Sequence, residues 1–369
     1  MSVNQKVLFF SRDFSTHDQR FLTSLLETDY EVAYLRLENR SRRNAEEVLP
    51  GTIKIFPTLN QNSYFSYQKT LKNLNKLKKI IHEFNPNLIH AGPIQTCSFL
   101  TALSGFSPLV TMSWGSDILV DSEKNILNKW ITKYTLKKTN HFLGDCETVK
   151  KKAIQFGFPQ ERITIFPWGI DLEKFFPSNN SDLRNELGWQ DNFIILSLRS
   201  WETIYGVDVV VNAFTEASKL LPEIRLLLLG DGSQKDIIYQ MVSEAGISDK
   251  VHFGGLIAQK NLPDYYQTAD LYVSASYSDG SSVSLMEALA SALPPLVSDI
   301  PSNQEWIKEG KNGWLFKVGD VEDLKRKIIT VVDNKARLSD IQKQARQTAE
   351  EKADWTLNFQ KLMNAYQMS

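Results

Sequence analysis

Asp279-Gly-Ser-Ser-Val-Ser-Leu-Met-Glu287 sets two carboxylates on either side of a run of small residues. The apolar run Leu271–Ser274 precedes it as a strand, and the Gly/Ser turn then leads into a helix capped by Ser281 or Ser282. A helix start offers unpaired N–H groups and a partial positive charge, which suits a phosphate. Asp279 falls in the loop above that start, and Glu287 about one and a half turns into the helix. The two carboxylates thus flank a candidate anion site about Gly280, Ser281, Ser282 and Val283, one near its mouth and one further in. An ordinary capped helix with a surface Asp is the alternative. Arg199 closes the apolar run 193–198, where a guanidinium can clamp a diphosphate. Gly230-Asp-Gly232 closes another such run with a tight turn.

These groups need elements to hold them. Apolar runs at 7–11, 31–37, 52–56, 88–91, 108–113, 141–144 and 163–166 read as strands. Helical spacing fills the gaps at 16–27, 67–84, 95–104, 123–136 and 148–156. The alternation implies a parallel sheet covered on both faces, with ligand sites at the carboxyl ends of strands. Arg12, Asp13, His90, Trp114 to Asp117 and Asp145 lie at those ends. Pro167-Trp-Gly-Ile-Asp-Leu-Glu-Lys-Phe-Phe-Pro177 and the polar run 178–182 break the rhythm. The same alternation restarts at 193, and 353–368 reads as a terminal amphipathic helix. The domains expected are 1–173, 174–350 and a terminal helix 351–369 that packs on the first.

A chain of 369 residues, 42% hydrophobic and 23% charged, has apolar material for two cores. Cys97 and Cys146 make neither metal spacing nor a disulfide framework, which points to a reducing cytosol. The start of the chain carries no signal-peptide pattern, and no apolar run can span a bilayer. Residues 1–175 hold 23 Lys+Arg against 17 Asp+Glu, and the rest 19 against 26. The basic half suits a phosphorylated acceptor or an anionic membrane surface, unless the imbalance is only solvated faces. The helix 67–84 carries Lys69, Lys72, Lys76, Lys78 and Lys79 beside an apolar face. It is either a membrane-surface element or the solvated side of a core helix. The 36–43 loop is also basic. No G-x-G-x-x-G follows a strand, which argues against a dehydrogenase. Nothing indicates a nucleic-acid partner.

Taken in order, several fragments resemble the retaining glycosyltransferases of family 4. The Asp279-x7-Glu287 element is similar to their E-x7-E signature. Gly255-Leu-Ile257, with Tyr265-Tyr-Gln-Thr-Ala-Asp-Leu-Tyr-Val-Ser, resembles the base-binding loop and the strand after it. Gly310-Lys-Asn-Gly-Trp-Leu-Phe resembles the following turn, and Trp168-Gly-Ile-Asp the hinge. The resemblance implies an α/β GT-B fold: two Rossmann-like domains facing across a cleft, with the C-terminal helix returning to the first. It implies transfer of a sugar from a nucleoside diphosphate donor to a hydroxyl acceptor, on a glycan or a lipid carrier. Retention is implied too, with no cofactor and no metal. The enzyme would be cytoplasmic, or peripheral at the inner face of a membrane. Glu287 would accept from ribose hydroxyls, Asp279 would hold the donor sugar, and Arg199 would stabilise leaving-group charge. His90 and Asp117 would lie near the reacting centre, and Ile257 near the base.

Departures bear on the donor. Asp279 replaces a Glu, and Tyr205 stands where the family has a basic residue before Gly206. The glycine pair after the first strand gives way to Thr16-His17-Asp18. The H-x-H pattern is reduced to His90-Ala-Gly92, and the H-G-x-D loop reads Trp114-Gly-Ser-Asp117. A non-catalytic scaffold that binds a nucleotide or glycan is the alternative these departures support.

Overall fold

The computed structural model describes residues 5–39, 49, 51–60, 66–178 and 182–369. It forms two compact units: Met1–Phe166 with Thr356–Ser369, and Pro167–Trp355. The chain thus passes between units at 166/167 and 355/356, where the sequence suggested 173 and 351. Residues 40–43 of the basic loop, and residues 179–181 of the polar run, lie outside the described residues.

Unit 1 is built on a seven-stranded sheet: β1 (Lys6–Ser11), β2 (Glu31–Arg36), β3 (Lys54–Ile55), β4 (Leu88–Gly92), β5 (Leu109–Met112), β6 (His141–Gly144) and β7 (Ile163–Ile165). Its order is β3-β2-β1-β4-β5-β6-β7 with every pairing parallel. Unit 2 carries β8 (Phe193–Leu198), β9 (Ile224–Leu229), β10 (Val251–Gly255), β11 (Leu271–Ser274), β12 (Pro295–Ser298) and β13 (Trp314–Phe316), all parallel in the order β10-β9-β8-β11-β12-β13. Strands such as Leu226–Leu229 are continuous apolar runs because helices cover both sheet faces. In each sheet the order reverses beside the first strand, at β1/β4 and at β8/β11. Loops leaving two such strands diverge to opposite sides and open a crevice at their carboxyl ends.

Several elements are shorter than the hydrophobic pattern suggests. The strand expected over 52–56 pairs only at Lys54–Ile55. The helix expected from 123 begins at Ile126, because Asn125 caps it by accepting from Asn128 N at 2.8 Å. The helix expected from 95 opens with a wide π turn, Ile94–Ser98, before Phe99–Ser104.

The hinge segment is held inside unit 2. Ile170 N donates to Ala353 O at 2.7 Å, and Trp355 N to Ile170 O at 3.1 Å. Gly169 lies between them at φ 66°, and a Cβ there would come within 2.9 Å of Trp355 Cα. Glycine is required on both counts. The terminal helix Trp355–Gln367 then belongs to unit 1 and buries Leu362, Met363, Ala365 and Tyr366.

Candidate functional site

The β8/β11 switch point explains why two residues eighty positions apart meet. Arg199 follows β8 directly, and Asp279 lies five residues beyond β11. Arg199 Nη2 stands 2.7 Å from Asp279 Oδ2, with side-chain exposures of only 12% and 18%. Arg199 Nη1 donates to Ser282 Oγ at 2.7 Å and Ser284 Oγ at 3.3 Å. Ser282 is the N-cap of the helix Val283–Ala290, its Oγ accepting from Leu285 N at 3.4 Å. The first intrahelical bond runs from Met286 N to Ser282 O. The N–H groups of Val283 and Ser284 therefore stand outside the ladder at the positive end of the helix. Gly280 N turns back onto Asp279 Oδ1 at 3.0 Å. The sequence thus yields one compact group: Arg199, Asp279, Gly280, Ser282 and the helix start.

Glu287 is buried a turn deeper. Tyr266 Oη donates to its Oε2 at 2.8 Å, and Tyr272 shares a 2.7 Å hydrogen bond with Ser284. Burial, then the Glu287 charge, pushes the Tyr266 hydroxyl far above its usual range, so it stays a donor. Burial also raises Asp279, against the pull of Arg199. For Arg199 burial works against the charge, but Asp279, Tyr272 and Tyr205 outweigh it and hold the guanidinium more firmly protonated. The site therefore presents a fixed cation beside two carboxylates and a row of hydroxyls. Such a set can grip a phosphate at the helix start and hydroxyl groups on either side.

Tyr205 enters the group through Arg199, its ring centroid 4.2 Å below the guanidinium carbon. Gly206 brings it there: at φ 59° a Cβ would lie 2.4 Å from Ala275 O, so only glycine lets this turn close on the end of β11. Gly232 packs as tightly, its missing Cβ 2.5 Å from Trp201 O. Ile257 is half-buried against the apolar cluster that holds Leu285 and Leu289.

Unit 1 disposes of its expected catalytic residues differently. His90 is fully buried within β4, against Phe9 at 4.7 Å, and its Nδ1 shares a 2.7 Å hydrogen bond with Tyr366 Oη. Burial lowers its pKa to about 3, so the ring is neutral. It is buried in the core and ties the terminal helix to β4, while its Nε2 has no partner among the described residues. Asp117 is likewise engaged locally. Its Oδ1 accepts from Ser113 Oγ at 2.6 Å and from Trp114 N and Ile118 N at 3.0 Å, while Oδ2 accepts from Ile94 N at 3.0 Å. It ties the loop after β5 to the turn after β4. Asp18 forms a capping box with Ser15, accepting from Ser15 N at 2.7 Å. His17 stands against Trp114, ring centroids 5.6 Å apart.

Residues 179–348 match the family model for glycosyl transferases group 1, and residues 6–145 match the one for glycosyl transferase 4-like domains. The chain belongs to the family 4-like glycosyltransferases of GT-B fold. Among curated relatives, an N-acetyl-alpha-D-glucosaminyl L-malate synthase of Bacillus anthracis is 24% identical over 89% of this chain and 86% of its own length. An alpha-monoglucosyldiacylglycerol synthase of Acholeplasma laidlawii is 26% identical over 61% of this chain, which spans 57% of that relative. Anabaena HepE, solved in complex with UDP-glucose, superposes with a TM-score of 0.83 at 19% identity, over 99% of this chain and 100% of its own. That likeness concerns the fold.

Within this glycosyltransferase family the departures acquire a physical reading. At the Tyr205 position a second cation is exchanged for an aromatic face that steadies the first. Three contributors escaped the sequence reading: Tyr266, Tyr272 and Ser284. Tyr266 is the residue that holds Glu287. Adjacent positions of the seven-residue helix face different sides, and of Tyr265-Tyr266 it is Tyr266 that is buried.

Proposed function

We propose that this chain transfers a sugar from a nucleoside diphosphate sugar to a hydroxyl acceptor, with retention of configuration and without a divalent metal. Unit 2 would hold the donor. The helix start at Ser282 and Val283, with Arg199, would take the diphosphate. Glu287 would accept from ribose hydroxyls, and Asp279 from the sugar. Arg199 would then offset charge as it builds on the departing diphosphate, an interaction worth most in a site shielded from water. The observation that carries this reading is the convergence of Arg199, Asp279 and Ser282 on the capped helix start at the switch point of the sheet.

Unit 1 would serve the acceptor, a glycan or a lipid-linked precursor. A relative named for a diacylglycerol product supports a lipid-linked acceptor. Among the described residues no helix is long and apolar enough to cross a membrane, so contact with an anionic membrane, at its cytoplasmic face, would be peripheral.

UDP-glucose, bound by HepE, is the first donor to test. The full chain should be stabilised against heat by UDP and by UDP-glucose, and Glu287→Ala should lose both shifts while remaining folded. Full stabilisation and turnover in that variant would sink the assignment. One observation favours a second reading, a chain that binds a nucleotide or glycan without turnover: Arg199 is already paired, and Tyr205 stands at the second cation's position. Donor binding with neither transfer nor donor hydrolysis would support it.

A further inference from the structure

Among the described residues of unit 1, six of the nine exposed large apolar side chains gather around two helix starts; the others are Ile154, Leu357 and Met368. Leu71 is 76% exposed, Ile126 89% and Trp130 54%, with Tyr67, Val120 and Leu127 also exposed. Leu71 lies in the first turn of the helix Thr70–Phe84, and Ile126, Leu127 and Trp130 in the first turns of the helix Ile126–Lys138. Tyr67 Oη donates to Asn128 Oδ1 at 3.3 Å and so links the two helix starts. Both helices pack on the short helix Phe99–Ser104. Trp130 stacks on Tyr134 at 5.5 Å and 18° and meets the edge of Phe99 at 6.3 Å, so its indole is held in place although half of it faces solvent. Scattered apolar residues need no explanation, but a held cluster does.

The cluster sits in a basic field. Residues 66–82 and 124–138 contain Lys69, Lys72, Lys76, Lys78, Lys79, Lys124, Lys129, Lys133, Lys137 and Lys138 and no acidic residue. The acids that flank these runs are mostly engaged: Glu83 pairs with Lys54 at 2.7 Å and Glu123 with Lys152 at 2.9 Å, while Asp121 lies in the turn before Ile126. Each helix precedes a strand of the parallel sheet and runs antiparallel to it. Both starts therefore lie on the side of the carboxyl ends of β4 and β5, where a unit 1 ligand would bind.

We propose that the paired starts of these two helices form a docking tip that seats unit 1 on an anionic lipid bilayer, with Leu71, Ile126, Leu127 and Trp130 entering the interface and the lysines meeting lipid phosphates. Lysines around a Trp-bearing apolar face match the chemistry of the headgroup boundary. A second copy of this chain does not: it would set lysine against lysine. The tip differs from the basic helix 67–84 taken alone, because its apolar part comes mainly from the other helix. Resting on the sugar-transfer reading, it assigns the acceptor to the membrane.

The test is co-sedimentation of the full chain with vesicles of phosphatidylcholine, with and without phosphatidylglycerol. Binding is expected on the anionic vesicles and should weaken as salt rises. The pair Ile126→Ser with Trp130→Ser should lower the partition constant at least about tenfold. The exchange of Lys69, Lys72, Lys129 and Lys133 for Gln should abolish the preference for anionic lipid. Both sets lie on the surface, and an unchanged thermal shift with UDP would show that they fold. Failure of the parent chain to bind anionic vesicles overturns the proposal. So does an apolar pair that binds as the parent does, or one whose only effect is to dissociate a dimer. Vesicle binding without any response to a nucleotide sugar would leave the docking tip standing and remove the transfer reading. A nucleotide response without vesicle binding would do the reverse.

Discussion

The two units carry the same architecture and use their strand ends in opposite ways. In unit 2 the groups at the β8/β11 switch point gather around a helix start whose first N–H groups stay outside the ladder: a cation, a carboxylate and hydroxyls. In unit 1 the corresponding polar groups serve the loops themselves. Asp117 accepts from four donors, Asp18 is engaged in its capping box through Oδ2, and His90 meets Tyr366 through Nδ1. A carboxylate at a strand end is thus no guide to chemistry until its local donors are counted.

The sharpest way to break this contrast is a thermodynamic cycle on Arg199 and Asp279. Asp279→Ala leaves a shielded guanidinium without its counter-ion, and a loss of about 3–5 kcal/mol in stability is expected. Arg199→Ala should cost a comparable amount. The double variant should cost much less than the sum, because no unpaired charge remains. Additive losses by denaturant unfolding would mean that the pair is not coupled. Turnover gives the next effect. Arg199→Ala should lower kcat by about 10²–10³-fold, as loss of a charge-stabilising donor does. Asp117→Ala should instead lower stability by about 1–3 kcal/mol, through its orphaned donors, and leave donor affinity per folded molecule intact. If Asp117→Ala abolished transfer with stability unchanged, the division between the units would fail.

Unit 1 should also reveal itself through pH. Burial raises Asp18 from 3.8 to about 7, against hydrogen bonds from Ser15. A raised carboxyl favours the folded state while protonated, so its contribution is complete below about pH 4 and is lost as pH rises through about 7. Relative to Asp18→Asn, the parent should lose on the order of 1.4 kcal/mol for each unit of that shift. Thermal melts of the two chains should coincide near the acid end of the window and separate towards neutrality. A constant gap would show that Asp18 does not titrate there.

Much of this was legible in the sequence, and the remainder was hidden for physical reasons. Strand and helix alternation, the depth of Glu287 and the cap at Ser282 follow from local pattern. The Arg199–Asp279 contact does not, because it depends on β8 lying beside β11, a pairing that no local periodicity encodes. The burial of His90 was hidden because β4 is apolar on both faces, so alternation cannot tell a residue pointing into the core from one facing a ligand. The partners of Asp117 were hidden because three of its four donors are backbone N–H groups, which side-chain types do not reveal. Ile126 and Trp130 carry no signal of their exposure, because a helix start carries the same residues whether they face the sheet or solvent.

Tyr205 yields the smallest effect and a subtle one. Its ring touches Arg199 rather than replacing a cation, so its role is to position the guanidinium. Tyr205→Phe keeps the ring face and should behave as the parent. Tyr205→Leu removes the face and should weaken the hold on Arg199 by about 0.5–1 kcal/mol. Because Asp279 and Ser282 still grip Arg199 from the other side, the loss should appear mainly in kcat, where alignment matters, with KM nearly constant. An equal loss in Tyr205→Phe would transfer the role to the hydroxyl. A change confined to KM would mean that Tyr205 meets the donor itself, and the aromatic platform would then be a consequence of packing and not its purpose.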